Sequence, residues 1–515
     1  MPASTARKCS TLHTFTGRDV PWLLDQQGLV RPGKTFLVWE PYEGETRRWT
    51  FAEFNEATKA FAAGFAANGV EPGDLVTIHM ENCPEFLLAF FACARIGAIA
   101  VTTNTGSTAE ELAYFLTDSR SSFLLTQPKF VPLLQNVRTD SLKWMACTGA
   151  APPPHWKSFD ELRGDPAACV VRVAEPMRPS HVQYTSGTTS RPKGVVWTHA
   201  NALWGAKVTS SHARLVETDV VPIFFPLFHA NALAYTLLPT LWTGGTAVLT
   251  PKFSASRFWD VCVRNGCTWA NMVMFTLRAI EDQPIPAGHR FRFWALLAQT
   301  PAVRERWNIA SISWYGMTET ITQNVHSLFD FDAPAGAIGH PAHEYEIAVR
   351  DSEGQESSQG RLWIRGIPGY SMFLEYLNKP EATQACFDSD GWFDTGDTVR
   401  VDALGHLHFV NRARDMLRVG EENVAASEIE AVINRVNGVV ECAVIGKPDD
   451  MLDEVPVAFV VAREPSEALS KEILALCGEV LSRFKRPREI YFIDELPKGL
   501  LDKTLKRELR ERLKR

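Results

Sequence analysis

The chain lacks a run of apolar residues able to span a bilayer. Its greasiest stretch, Phe86 to Val101, is interrupted by Arg95 and Gly97 and is too short for the roughly 20 residues a crossing helix needs. There is no excess of positive charge: the formal net charge is -7 over 515 residues, which gives no support for a nucleic-acid surface. The 10 cysteines show no CxxC spacing, and no histidine pair accompanies Cys262 and Cys267, the nearest two. That excludes a disulfide scaffold or a structural zinc set and fits a reducing, cytoplasmic compartment. Met1 to Gly17 has no apolar core and reads as a frayed tail, not a signal peptide. Internal repeats and low-complexity segments are also missing.

What is present is a soluble, globular composition, 45% hydrophobic and 22% charged, in a chain long enough for several folding units. From about Trp49 to Asn265, helical periods alternate with short β-branched runs. Thr50 to Ala66 is an amphipathic helix, Asp74 to His79 a strand, Glu85 to Arg95 a helix and Ala98 to Thr102 a strand. Such alternation predicts an α/β fold with mostly parallel sheets covered by helices. Between about 336 and 410 the texture becomes short strands (Tyr345 to Val349, Arg361 to Arg365, His406 to Val410), predicting a β-rich subdomain. Beyond 415 comes a small α+β module, with helices at Ser427 to Val436 and Leu469 to Phe484 and strands at Glu441 to Gly446 and Pro456 to Val461. The division is therefore a large N-terminal domain over 1–412, a charged hinge at 413–415 and a mobile C-terminal domain over 416–515.

One motif misleads. Gly28-Leu-Val-Arg-Pro-Gly33-Lys34-Thr35 fits the Walker A pattern letter for letter. A phosphate cradle of that kind needs a strand before it and a helix after it. Here Val20 to Gln27 is helical and Phe36 to Trp39 is a strand, the reverse order.

The strongest chemical signal is Tyr184-Thr-Ser-Gly-Thr-Thr-Ser-Arg-Pro-Lys-Gly-Val195. Hydroxyls (Thr185, Ser186, Thr188, Thr189), a permissive backbone at Gly187 and one ammonium at Lys193 suit a polyphosphate. The whole run resembles the phosphate loop of the adenylate-forming superfamily: acyl-CoA synthetases, luciferases and peptide-synthetase adenylation domains. Further matches follow in the family's order. Pro226-Leu-Phe-His229 resembles its gating-histidine segment, and Tyr315-Gly316-Met-Thr318-Glu319 the stretch that sets a threonine on the α-phosphate and a glutamate on magnesium. Asp394-Thr-Gly-Asp397 and Arg412 resemble the ribose site, and Arg414 the hinge. Gly420-Glu421-Glu-Asn423 resembles the thiol-channel loop, and Leu496-Pro-Lys-Gly-Leu-Leu-Asp-Lys503 the C-terminal lysine segment. With Gly366 to Leu377, the pattern is most similar to the carnitine/crotonobetaine-CoA ligase branch.

The resemblance implies an AMP-forming acyl-CoA ligase. A carboxylic acid and MgATP give acyl-AMP and pyrophosphate, and the acyl group then passes to coenzyme A. It implies Lys503, Thr318, Glu319 and His229 as catalytic residues, with Glu319 on Mg²⁺. Thr185 to Thr189, Lys193, Tyr315, Gly316, Asp397 and Arg412 would hold the nucleotide, and Gly420 and Glu421 would line the CoA channel. A carrier-protein thiol or an amine as acceptor, or a non-catalytic nucleotide-binding relative, are the alternatives; a dimer is compatible with the pattern. Three positions depart from the family: Ala295 to Pro301 replaces a Gly-Gly-Ala-like adenine segment, Asp502 replaces a glycine, and Arg414 an aspartate or lysine. Mapped onto the family's acid pocket, His229, Asn231, Met272, Met274, Phe275, Trp314 and Ile321 make an apolar lining. That predicts a small or medium acid with a neutral apolar or aryl body, ahead of a quaternary ammonium acid held by cation–π contact.

Overall fold

The computed structural model describes residues 13–135, 137, 140–149, 152–185, 191–327, 329, 333–412, 416–497, 504 and 506–513. Three sheets build the N-terminal part and one builds the C-terminal part. The first has eight strands; at its centre Leu75–His79 runs parallel to Ile99–Thr102 and to Phe123–Thr126. A four-stranded sheet pairs Thr35–Trp39 in parallel with Thr246–Leu249. The third has nine strands. It begins with parallel Trp269–Asn271, Phe293–Leu296 and Ala310–Tyr315 and continues antiparallel through Val325–His326, Ala337–Pro341, Leu407–Arg412, Phe393–Val401, Gln359–Arg365 and Glu346–Arg350. The change of texture near 336 thus marks a switch of strand direction inside one continuous ladder.

Local sequence explains the elements that flank the parallel strands. Helix Phe51–Ala67 starts in a capping box: Thr50 accepts from the Glu53 amide, and Glu53 accepts from the Thr50 amide. Phe51, Phe54, Phe61 and Phe65 recur at helical spacing and are buried against the core. Each such side chain contributes roughly 1.5–3 kcal/mol, so Phe54→Ala is expected to cost about 3–5 kcal/mol. Gly64 lies on the same helix where it meets another segment. A Cβ there would sit 1.7 Å from the Leu162 carbonyl oxygen, so only glycine fits. Helix Pro84–Ile96 opens on proline and ends at Gly97 in the left-handed region (φ 79°).

The C-terminal sheet joins Glu422–Ala425, Met416–Val419, Asp453–Ala462 and Val439–Asp449, with Glu489–Phe492 parallel to Asp453–Ala462. Helices Ala426–Ile433 and Glu467–Val480 cover it. The second helix stops at Val480, short of the expected Phe484, because Leu481 is already extended (φ -104°, ψ 141°).

One further expectation needs adjusting, and another stands. Within the supposed tail, Phe15 is buried and packs edge-on against Trp242. The Walker-like segment has helix Val20–Val30 before it and strand Thr35–Trp39 after it, and Lys34 donates to the Gly244 carbonyl at 2.5 Å. That lysine is a structural tie between two loops. Among the described residues no helix is long and apolar enough to cross a membrane.

Candidate active site

Strands Pro179–Thr185 and Lys193–Thr198 pair antiparallel, with Thr185 opposite Lys193. These strands flank the hydroxyl-rich loop. Its residues Ser186, Gly187, Thr188 and Thr189 lie outside the described residues, as do Arg414 and Lys503. Lys193 holds its ammonium 4.6 Å over the Tyr376 ring. Tyr376 donates to Glu319 Oε1 at 2.9 Å. Burial first, and the Glu319 charge second, push the Tyr376 phenol well above its ordinary pKa, so it stays a donor. Thr318–Thr320 forms a single 3₁₀ turn, clamped by Trp197 Nε1 donating to the Thr318 carbonyl and by the Phe373 amide donating to the Glu319 carbonyl, both at 2.9 Å. Just beyond it Ile321, a β-branched residue, is fully buried at φ 67°. Such backbone strain persists only where the surroundings over-determine it, and it concentrates at functional sites. The Ile321 side chain packs against Gly205.

On the other side of the turn, Tyr315 donates to Asp397 Oδ2 at 2.6 Å, and the Asp397 amide donates to Thr395 Oγ1 at 3.1 Å. Asp394, in the same motif, is paired with Arg361 at 2.6 Å. The ladder sets Arg412 directly across from Asp397. Two ribose candidates separated by fifteen positions therefore share one register pair, and Tyr315 orients the aspartate from a third strand.

His229 precedes the short helix Ala230–Ala232, which widens into a π-helical turn at Leu233–Leu237. Turns of that kind are frequent at functional sites. Tyr235 on this turn donates to the Met317 carbonyl at 3.1 Å, tying the histidine segment to the Thr318–Glu319 turn. Thr236 joins the same segment to Asn271 at the end of strand Trp269–Asn271. Met272 and Trp314 are buried, whereas Met274 is exposed and Phe275 packs against Phe253, 6.0 Å between centroids. Gly316 needs its lack of a side chain: a Cβ would lie 2.5 Å from the Thr322 carbonyl oxygen.

The C-terminal domain closes the site from the other side. Gly420 (φ 62°) and Glu421 form the tight turn between Met416–Val419 and Glu422–Ala425. Glu422 Oε1 accepts from Asn104 Nδ2 at 2.9 Å and meets His229 Nε2 at 3.2 Å. Burial alone would lower the His229 pKa, but the charge and hydrogen bond of Glu422 outweigh it and raise it above the ordinary value. Burial would likewise raise that of Glu422, and His229 and Asn104 reverse the shift, holding it down. Neighbouring Glu421 is pushed up to about 7 by burial and by the Glu422 charge. Further ties between the domains are Lys485 to Glu111 at 2.5 Å, Arg435 to Glu110 at 3.1 Å, Arg278 to Asp453 at 2.9 Å, and Thr108 to the Val480 carbonyl at 2.7 Å.

The site suits a magnesium–phosphate complex. Mg²⁺ keeps several waters and takes one or two carboxylates beside substrate phosphates, and Glu319, with Tyr376 fixing one oxygen, offers one carboxylate of that kind. Among the described residues no set of three or more His, Cys, Asp or Glu forms a preformed cage. Three contributors escaped the sequence reading: Tyr376, Glu422 and Asn104. Tyr376 and Glu422 stand inside motifs quoted for other reasons, and Asn104 carries no motif.

Comparison with known proteins identifies the family. The AMP-binding enzyme family matches residues 24–377, and the AMP-binding enzyme C-terminal domain matches 428–503. The crotonobetaine/carnitine–CoA ligase of Proteus mirabilis is 32% identical, covering 94% of this chain and 97% of that one. A double mutant of o-succinylbenzoate CoA synthetase from Bacillus subtilis, bound to a product analogue, superposes with a TM-score of 0.83 at 28% identity, covering 95% of this chain and 98% of that one. The same enzyme in complex with AMP gives 0.68 at the same identity and coverage. Over the whole chain the structure thus superposes better on the product-analogue complex than on the AMP complex.

Proposed function

This chain belongs to the AMP-binding enzyme family and is an ATP-dependent acyl-CoA ligase working through an acyl-adenylate; from that premise we propose how its residues divide the two half-reactions. In the first, the acid's carboxylate attacks the α-phosphorus of ATP, and pyrophosphate leaves. Both reactants are anionic, so positioning and charge neutralisation carry the catalysis. Thr318 donates to the α-phosphate, and the loop from Thr185 to Lys193 holds the β- and γ-phosphates. Asp397, oriented by Tyr315, accepts from the ribose hydroxyls, with Arg412 beside it. Mg²⁺ held at Glu319 supplies neutralisation of the phosphate charge. Lys503 bridges carboxylate and phosphate in this step.

In the second half-reaction the C-terminal domain, turning about Arg414, brings Gly420 to Glu422 against His229. The contact of Glu422 with His229 and Asn104 is the observation that carries this assignment. The docked loop and His229 border the path of the CoA thiol. The acid is small or medium, with an apolar or aromatic body set between Met272 and Trp314. A screen over carboxylic acids, with pyrophosphate and CoA thioester both measured, tests the scheme. Acid-dependent pyrophosphate release, then CoA-dependent thioester and AMP, are expected; ADP and orthophosphate as products would refute it.

A further inference from the structure

Asn271 and Asn231 are joined through Thr236 on the segment that follows His229, in a way that the nucleotide chemistry leaves unexplained. Asn271 ends strand Trp269–Asn271 and is only 2% exposed. Asn231 lies two residues beyond His229. Thr236, on the π-helical turn, links them. The wide turn brings its hydroxyl over the carbonyl of the residue five positions back, and it donates to the Asn231 carbonyl at 2.8 Å. With its proton committed there, the Thr236 oxygen is left as an acceptor, and Asn271 Nδ2 donates to it at 2.5 Å. This chain fixes which way the Asn271 amide points. Its oxygen is turned away from Thr236. Both side-chain oxygens, Asn271 Oδ1 and Asn231 Oδ1, are buried and have no hydrogen-bond partner.

Buried amide oxygens are almost always satisfied. The place of these two is also telling: Asn271 stands at the carboxyl end of a parallel strand, where open α/β sheets take their ligands.

We propose that Asn271 and Asn231 are specificity residues that accept hydrogen bonds from a hydroxyl or N–H group on the body of the acid. This rests on the acid-pocket assignment above and deepens it: the substrate is an apolar or aryl acid with one donor away from its carboxylate. A site built around buried acceptors gains selectivity mainly by rejecting the analogue that leaves them unpaired.

The test uses the full-length enzyme, MgATP and CoA with matched acids: 3-hydroxybutyrate against 3-methylbutyrate, 4-hydroxybenzoate and 4-aminobenzoate against 4-methylbenzoate, and a trimethylammonium acid as a donor-free cation. The best substrate is expected to bear a donor and to exceed its methyl partner in kcat/KM by about 100-fold or more. In Asn271→Leu, which is close in volume, the ratio should fall to about tenfold or less. Asn231→Leu, at a half-buried position, serves as the second variant should the first not fold. The inference is overturned if methyl partners or the trimethylammonium acid are turned over best, or if selectivity survives both substitutions. Pyrophosphate release without donor selectivity fails this inference alone, whereas no release with any acid fails the ligase reading as well.

Discussion

Replacing Glu422 with glutamine keeps the length of the side chain and one acceptor oxygen but removes the charge. In the docked arrangement that single oxygen serves both Asn104 (2.9 Å) and His229 (3.2 Å). A hydrogen bond to a charged group contributes roughly 1.5–3 kcal/mol and a neutral one roughly 0.5–1.5. Losing the charge therefore weakens each contact by about 1–1.5 kcal/mol. His229 is 30% exposed, which favours the lower end. The sum is about 2 kcal/mol, or roughly 30-fold in the docking equilibrium at 1.4 kcal/mol per tenfold. The undocked enzyme does not use this contact, so acid-dependent ATP–pyrophosphate exchange should be unchanged. Single-turnover transfer from preformed acyl-adenylate to CoA should slow by about 30-fold. Equal loss in both half-reactions, or undiminished transfer in a folded protein, would refute the reasoning.

Tyr315→Phe removes the donor to Asp397 and should raise the KM for ATP by about tenfold while leaving that for the acid unchanged; an unaltered ATP titration would disconnect this pair from the ribose. Lys503→Ala should nearly abolish adenylate formation yet spare thioester formation from supplied adenylate, read in the same two assays. Docking should also respond to pH. The raised His229 pKa favours the docked form at low pH, and that contribution is lost as pH rises through the raised value. Glu421, pushed up to about 7, acts in the same direction, because its ionised form is disfavoured where it is buried. Glu422, held low, loses its contribution only as pH falls through its own depressed value. Energy transfer between labels on the two domains should therefore report undocking as pH rises from about 6 to about 9; docking that strengthens over that range would contradict the sign.

Elements fixed by short-range chemistry were legible in the sequence. The amphipathic period from Thr50 to Ala66 located helix Phe51–Ala67 to within a residue, and the reversed order around Gly33 disposed of the Walker-like segment. Contacts between distant positions were not legible. Tyr376 meets Glu319 across 57 positions, His229 meets Glu422 across 193, and Asn104 meets Glu422 across 318. Periodicity carries no information about such pairings. The texture change near 336 suggested a separate unit because antiparallel strands alternate more visibly than parallel ones, yet a ladder can change direction without breaking. Phe15 was missed because one anchoring ring in a polar segment leaves no pattern.

The ties between the two domains are mostly charged, and this bears on how often the seam can open. Arg435 and Glu110 are about half exposed, and Arg278 and Asp453 about a third; pairs of that kind contribute roughly 0–1 kcal/mol each. Among the described ties, Lys485, held between Glu111 and Glu428, and Glu422 are the more deeply placed. A greasy seam would have to be rewetted at every cycle, whereas these groups trade partner ions for water and dissolved counter-ions at little net change. Screening acts within about 8 Å at physiological ionic strength. Added salt should therefore loosen the thioester-forming arrangement and leave the intradomain contacts of the adenylating site almost untouched, so that the second half of the cycle, and not the first, senses the ionic surroundings of the enzyme.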